Sequence, residues 1–173
     1  MTELSTQTFS LTPVADFRSL MAQFPTGVAV VTTTDDLGRP RGMTVSSVCS
    51  VTLTPPTLLI CLRQGGPTLE AVRERGTFAL NLLHGRAQRV AELFASGDPD
   101  RFDRIEWDLP ESSAGPHLSH DTHAVADCRV SRTESVGDHV VVFGETFAIA
   151  EHHGHVPLLY GLRQFRSWPP HSS

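Results

Sequence analysis

At 173 residues, with 39% apolar and 19% charged residues, the chain has the composition of one globular domain and not of a disordered segment. Its formal charge of −5, with no basic stripe, argues against nucleic acid as a partner. No apolar run approaches the about 18 residues of a membrane span, and no signal pattern opens the chain, so no membrane partner and a cytoplasmic location are expected.

Residues 1–11 are polar and aperiodic, which predicts a frayed tail. Thr12 then reads as an N-cap, with Pro13 in the first turn and Asp16 near the helix start. Phe17, Leu20, Met21 and Phe24 follow at i, i+3, i+4 and i+7, the apolar face of a helix packed on a core. Pro25 ends that helix, and Thr26-Gly27 turn out of it. Val28 to Thr34 is a β-branched strand, and Asp35 to Pro40 is a hairpin turn into a second strand from near Arg41. Pro55-Pro56 separates a strand at Val51–Leu53 from one at Leu58–Leu62. Pro67 to Arg75 reads as a short helix with Leu69 and Val72 inward and Gly76 at its end. Thr77 to Leu83 is an apolar strand with one polar residue, Asn81. A further helix, Gln88 to Ala95, is apolar at Val90, Leu93 and Phe94. The loop from Ser96 to Pro116 is pinned by Phe102, Ile105 and Trp107. Ala124–Val130 and His139–Ile149 are long strands around the turn at Val136-Gly137-Asp138, and Val156–Tyr160 is a last strand before a loose tail from Trp168. The expected organisation is one domain over residues 12–167 with tails at 1–11 and 168–173. Six or seven hairpin-connected strands with two or three helices favour an antiparallel barrel with peripheral helices over a doubly wound sheet.

All 14 basic residues are arginine. The lack of lysine excludes a lysine Schiff base and a Walker phosphate loop, so any phosphate must be met by Arg, hydroxyls and backbone amides. Cys49, Cys61 and Cys128 form no CxxC pair and read as free thiols in a reducing compartment. No GxGxxG or GxSxG sequence occurs. His117, His120 and His123 recur every third residue, but they follow Gly115-Pro116 in a loop. With no HExxH present, they read as solvated histidines and no metal is expected.

The stretch Arg41 to Leu62 carries the most chemistry. Thr44-Val45-Ser46-Ser47-Val48-Cys49-Ser50 alternates hydroxyls with apolar residues, so one face presents hydroxyls and amides while Val45 and Val48 enter a core. Such a face serves either a ligand or solvent. His139 is either aimed into a cleft by the Gly137-Asp138 turn or is ordinary turn chemistry. Asn81 in its apolar strand needs partners, either backbone or a heterocycle.

In order, FPTGVAVVT (Phe24–Thr32), GMTVSSVCSVTLTPP (Gly42–Pro56), FALNLL (Phe78–Leu83), FASGDPDRF (Phe94–Phe102), ADCRV (Ala126–Val130), GDHVVVFGE (Gly137–Glu145) and PLLYGLRQF (Pro157–Phe165) resemble the flavin reductase-like family. Its members are small reductase components of two-component flavin-dependent monooxygenases. The resemblance implies a mainly β, antiparallel split β-barrel of Greek-key type, the FMN-binding split barrel. It implies a homodimer with one flavin per subunit near the interface, FMN or FAD, reduced by NADH or NADPH and passed to a flavin-dependent monooxygenase as diffusible reduced flavin. By the same resemblance Pro25, Thr26 and Val28 lie along the flavin ring. Thr44, Val45, Ser46, Ser47 and Ser50 contact ring, ribityl chain and phosphate. Cys61, Leu62 and Arg63 offer backbone contacts, Thr68 lies near the phosphate, and Asn81-Leu82 near the flavin. His139, with Tyr160 and Arg163, helps receive the nicotinamide. No acid or base catalyst is implied. Two departures stand out: Gly65-Gly66-Pro67 replaces a serine common in relatives, and Phe165 stands where a tyrosine is common. A flavoenzyme that holds FMN tightly for a small organic substrate, and a non-catalytic flavin-binding protein, are the alternatives.

Overall fold

The computed structural model describes residues 10–169; the expectations for residues 1–9 and 170–173 lie outside it. The order of elements is α1 (Val14–Ala22), β1 (Thr26–Gly27), β2 (Ala29–Thr34), β3 (Pro40–Val45), β4 (Val48–Leu53), β5 (Pro56–Arg63), α2 (Pro67–Arg75), β6 (Thr77–Leu83), α3 (Gln88–Ala95), a 3₁₀ turn (Arg101–Arg104), β7 (Thr122–Val136), β8 (His139–Glu151), β9 (Leu158–Gly161) and β10 (Gln164–Ser167). Every strand pairing is antiparallel.

Seven strands form one sheet in the order β3-β2-β6-β7-β8-β5-β4, and β1-β9-β10 form a second. The seven-stranded sheet cannot be flat. Laid out, its edge strands β3 and β4 would lie roughly 29 Å apart at about 4.8 Å per strand. Yet only Ser46 and Ser47 join them, and three peptide steps reach at most about 11 Å. The sheet therefore curls into a barrel. Ser47 clasps the seam: its hydroxyl donates to the Cys61 carbonyl at 3.2 Å and accepts the Cys61 N–H at 3.1 Å.

β2 is buried along its whole length because both of its faces are covered. Ala29 and Val31 enter a core inside the barrel with Val45, Ile60, Leu62, Leu69, Phe78 and Val142. Val28, just ahead of β2, and Val30 face an outer core with Leu83, Phe94, Phe102, Leu118 and Leu158, which Trp107 and Phe165 help to cover. The β2–β3 turn is held by Asp35, whose carboxylate accepts Leu37 N–H at 3.1 Å, Arg39 N–H at 2.9 Å and the side chains of Arg39 and Arg41 at 2.9 Å. Burial opposes the charge on Asp35. The Arg39 amide and the two guanidiniums prevail and lower its pKa to about 2.

Several sequence expectations need correction. Pro13, not Thr12, is the N-cap of α1, and no side chain caps it. No residue of α1 is buried, and Phe17, Leu20 and Met21, with Phe24 just beyond, are exposed, so among the described residues its apolar face has no core to pack on. β7 runs on to Val136 because it pairs with β8 down to the Val136–His139 closing pair. β10 was not anticipated. It returns through Leu162-Arg163, both at positive φ (50° and 60°), a tight turn usually built from Asn and Gly.

Candidate functional site

Two clefts meet on the ridge formed by Val28 and Ser46. The first, about 450 Å³, is lined by Phe24, Pro25, Thr26, Gly27, Val28, Ala29, Ser46, Val48, Leu82, His123, Pro157 and Leu158. The second, about 440 Å³, is lined by Val28, Thr44, Ser46, Glu92, Ala95, Ser96, Tyr160 and Phe165. Each falls within the about 300–1000 Å³ of small-molecule sites.

The fold explains why these residues converge. Thr26 and Gly27 pair with Tyr160 and Leu159, which seats the segment after α1 on β9. Val28 bridges the two sheets, its N–H donating to the Leu158 carbonyl (3.1 Å) and its carbonyl accepting the Leu83 N–H (3.0 Å). Ser46 occupies the short seam link, where small side chains leave the backbone approachable. Tyr160 and Phe165, cross-strand partners on β9 and β10, set their rings 5.0 Å apart at one end of the second cleft. The Thr44 hydroxyl donates to the Ala91 carbonyl at 2.6 Å and fastens α3 to the barrel. His123 is half-buried in the first cleft. Burial first, then His84, His155 and His152, holds its pKa below the ordinary imidazole value, so it offers a neutral flat ring at pH 7. Apolar walls, aromatic faces and a few hydroxyls suit a flat heterocycle with a polar side arm.

Of the residues singled out from sequence, Pro25, Thr26, Val28, Thr44, Ser46, Leu82 and Tyr160 line the clefts. Others do not. Val45 and Leu62 are buried in the barrel core, and their main chains pair with Ala29 and Val140. Ser47 and Cys61 spend their polar groups on the seam clasp. Ser50 is exposed on β4, and Thr68 is buried in the first turn of α2. The N-cap of that helix is Gly66, which has no side chain to cap it. Arg63 pairs across β5 and β8 with His139, outside both clefts. The His139 imidazole lies 2.8 Å from the Asp138 carboxylate and keeps that group ionised below its usual range. Arg163 is exposed in the β9–β10 turn.

Asn81 requires a correction. Its side chain is fully buried, with its amide nitrogen 2.9 Å from Thr32 Oγ1, 3.2 Å from the Val30 carbonyl and 3.3 Å from the Pro116 carbonyl. Its Oδ1 accepts the Leu118 N–H at 2.8 Å. With both ends engaged, it holds the loop at Pro116–Leu118 against β2 and β6 and has nothing left for a ligand. Gly115 lets that loop press so closely, since a Cβ there would lie 2.5 Å from the Thr32 carbonyl oxygen. His117 is not a solvated loop histidine either. It is buried, 3.0 Å from Asp127, whose carboxylate also accepts the Ala114 N–H. Among the described residues no cluster of three or more His, Cys, Asp or Glu side chains is arranged to hold a metal.

Sequence reasoning missed Phe24, His123, Pro157 and Leu158 in the first cleft and Glu92, Ala95 and Ser96 in the second. The pairing of β9 with β1 brings Pro157 and Leu158 there, that of β7 with β6 brings His123, and the packing of α3 on β3 brings Glu92, Ala95 and Ser96.

A split antiparallel barrel with an apolar, hydroxyl-edged pair of clefts defines a protein that binds a flat aromatic ligand. The sequence matches the family described as "Flavin reductase like domain" over residues 21–169. It is 49% identical over 156 residues to "Flavin reductase (NADPH)" of Lentzea aerocolonigenes, covering 90% of this chain and 91% of the relative. It is 39% identical over 154 residues to "Flavin reductase (NADH)" of Kitasatospora aureofaciens, covering 88% and 81%. Among solved structures, the Streptomyces globisporus C-1027 NADH:FAD oxidoreductase SgcE6, in complex with NAD and FAD fragments, superposes with a TM-score of 0.85. It has 31% identity, covering 95% of this chain and 100% of that one. BorF, the flavin reductase component of a bacterial two-component tryptophan halogenase, superposes with a TM-score of 0.81 and 30% identity, covering 92% and 100%. The chain belongs to the flavin reductase-like family.

Proposed function

We propose that the protein is an NAD(P)H:flavin oxidoreductase that reduces FMN or FAD and releases reduced flavin to a separate flavin-dependent monooxygenase. The observation that carries this reading is the pair of clefts around Val28 and Ser46, where apolar walls and hydroxyls from six separate segments meet. The residues fit a flavin: Pro25, Val28, Leu82, Tyr160 and Phe165 offer faces to a tricyclic ring, and Thr26 and Ser46 offer hydroxyls to its polar edge and side arm. When bound, the flavin supplies the redox chemistry, taking hydride from the nicotinamide donor. The protein's task is then to hold two planar partners in register and to exclude water, which needs no general acid or base. The neutral His123 ring and the covered Val28 wall serve that task. His139 stands outside the clefts of one chain and helps receive the nicotinamide donor.

Release to a monooxygenase is supported by relatives such as BorF, a component of a two-component halogenase. A homodimer is supported by the unpacked face of α1 and by exposed Val51 and Leu53 on the edge strand β4. Three free thiols, one of them exposed, fit the reducing cytoplasm. No described helix is long and apolar enough to cross a membrane.

Mixing the protein with NADH or NADPH and excess FMN or FAD tests the reading. The 340 nm absorbance should fall at a rate that depends on free flavin. A rate independent of added flavin would point to a tightly held prosthetic group, and no absorbance change would point to a binding protein without catalysis.

A further inference from the structure

Pro157 lines the first cleft, and its neighbour Val156 lines a different pocket of about 360 Å³. We propose that this pocket, walled by His84, Arg86, His155, Ser167 and Trp168, is a subsite for the adenosine phosphate half of a dinucleotide.

Main-chain hydrogen bonds build the walls. The Gly85 N–H donates to the Val156 carbonyl at 2.7 Å, and the Trp168 N–H to the Pro157 carbonyl at 2.9 Å. His84 and Pro157 add an isolated β-bridge. Gly85 must lack a side chain, because a Cβ there would lie 2.5 Å from that of Ser167; only a bare backbone lets the end of β10 close over it.

The lining is flat and carries one cation, the guanidinium of Arg86. The rings of His84 and His155 stack with centroids 4.7 Å apart and planes at 27°. The His84 tautomer is set by its partners: Nδ1 accepts the Arg86 N–H at 3.2 Å, so Nε2 carries the hydrogen and donates to the His120 carbonyl at 3.0 Å. Trp168, half-exposed, offers an indole face. No Asp or Glu lines the pocket, and among the described residues no carboxylate pairs with Arg86. Burial first, then the neighbouring histidines and Arg86, holds the His155 pKa below the ordinary imidazole value. In a chain of net charge −5, such a pocket recruits a phosphate. Its aromatic faces take a planar base. A purine nucleoside phosphate joins the two.

Both FAD and NAD(P)H end in that group and FMN does not, so the identity of the natural donor rests on the flavin reductase reading while the pocket does not. The test titrates the purified protein with 5′-AMP and 2′,5′-ADP and follows tryptophan fluorescence. Saturable quenching is expected, lost in Trp168→Phe, where Trp107 alone remains. Arg86→Ala should weaken nucleotide binding about tenfold or more, and Arg86→Lys should restore most of it, with FMN affinity unchanged in both. Competition with NADPH alone would identify the hydride donor as the source; competition with FAD alone would identify the flavin. No saturable binding of either nucleotide at millimolar concentration, or wild-type affinity in Arg86→Ala, would overturn the proposal. FMN binding lost with nucleotide binding intact would instead overturn the flavin reading.

Discussion

Replacing Asn81 with Ala should destabilise the fold without touching a cleft wall. Asn81 is fully buried, and its Oδ1 accepts the Leu118 N–H at 2.8 Å. Its amide nitrogen serves Thr32 Oγ1 and the Val30 and Pro116 carbonyls. Thr32 Oγ1 still donates to Pro116 after the change, so that carbonyl keeps a partner. The Leu118 N–H does not. One orphaned buried donor costs about 1–3 kcal/mol, the lost amide bonds about 1 more, and the small cavity about 1. The sum is about 3–5 kcal/mol, a large share of the about 5–15 kcal/mol of an ordinary domain. For a chain of this length it corresponds to a fall in Tm of about 10 °C. Urea unfolding at pH 7 and fixed protein concentration measures it. A loss below about 1 kcal/mol would refute the reasoning, since it would mean that water or another group satisfies Leu118. Asn81→Asp, which keeps the acceptor but buries a charge against the Pro116 carbonyl, should be at least as damaging.

Three further outcomes are expected. Asp35 has a folded pKa of about 2, below its ordinary 3.8, so its contribution to stability is full above about pH 4 and disappears as pH falls through about 2. Urea midpoints should therefore separate wild type from Asp35→Asn at pH 7 and converge towards pH 2; a pH-independent gap would contradict the assignment. The Cys128 thiol is buried and its pKa is pushed up to about 11, whereas Cys49 is exposed. Thiol titration of native protein should label Cys49 first and Cys128 only on unfolding, and rapid native labelling of Cys128 would contradict its burial. His139→Ala should raise the KM for NAD(P)H severalfold while sparing FMN affinity, and an unchanged KM and turnover rate would remove its role.

Local patterns carried most of the fold. The β-branched run of β2, the Asp35–Pro40 turn, the Gly76 stop of α2 and the hairpin at Gly137-Asp138 follow from residue chemistry at short range, and each stands where the sequence places it. What short range cannot show is which face a partner covers. Phe17 and Leu20 of α1 have helical spacing, but spacing does not say whether the covering surface belongs to the same chain. Ser46 and Thr44 were legible as a hydroxyl face, whereas Glu92, His123 and Leu158 reach the clefts only through contacts distant in sequence. Asn81 shows the converse: a polar residue in an apolar strand signals a buried partner, and only the approach of the Pro116–Leu118 loop reveals that this partner is backbone.

Ser46 lines both clefts and is itself exposed, so an indole there would fill the meeting point without entering either core. Flavin titration by fluorescence quenching, comparing wild type with Ser46→Trp, tests the site directly. The affinity for FMN and FAD should fall about a hundredfold or more, flavin-dependent NAD(P)H oxidation should fall with it, and the urea midpoint should stay where it was. A Ser46→Trp protein that binds and reduces flavin like the wild type would place the flavin somewhere other than these clefts.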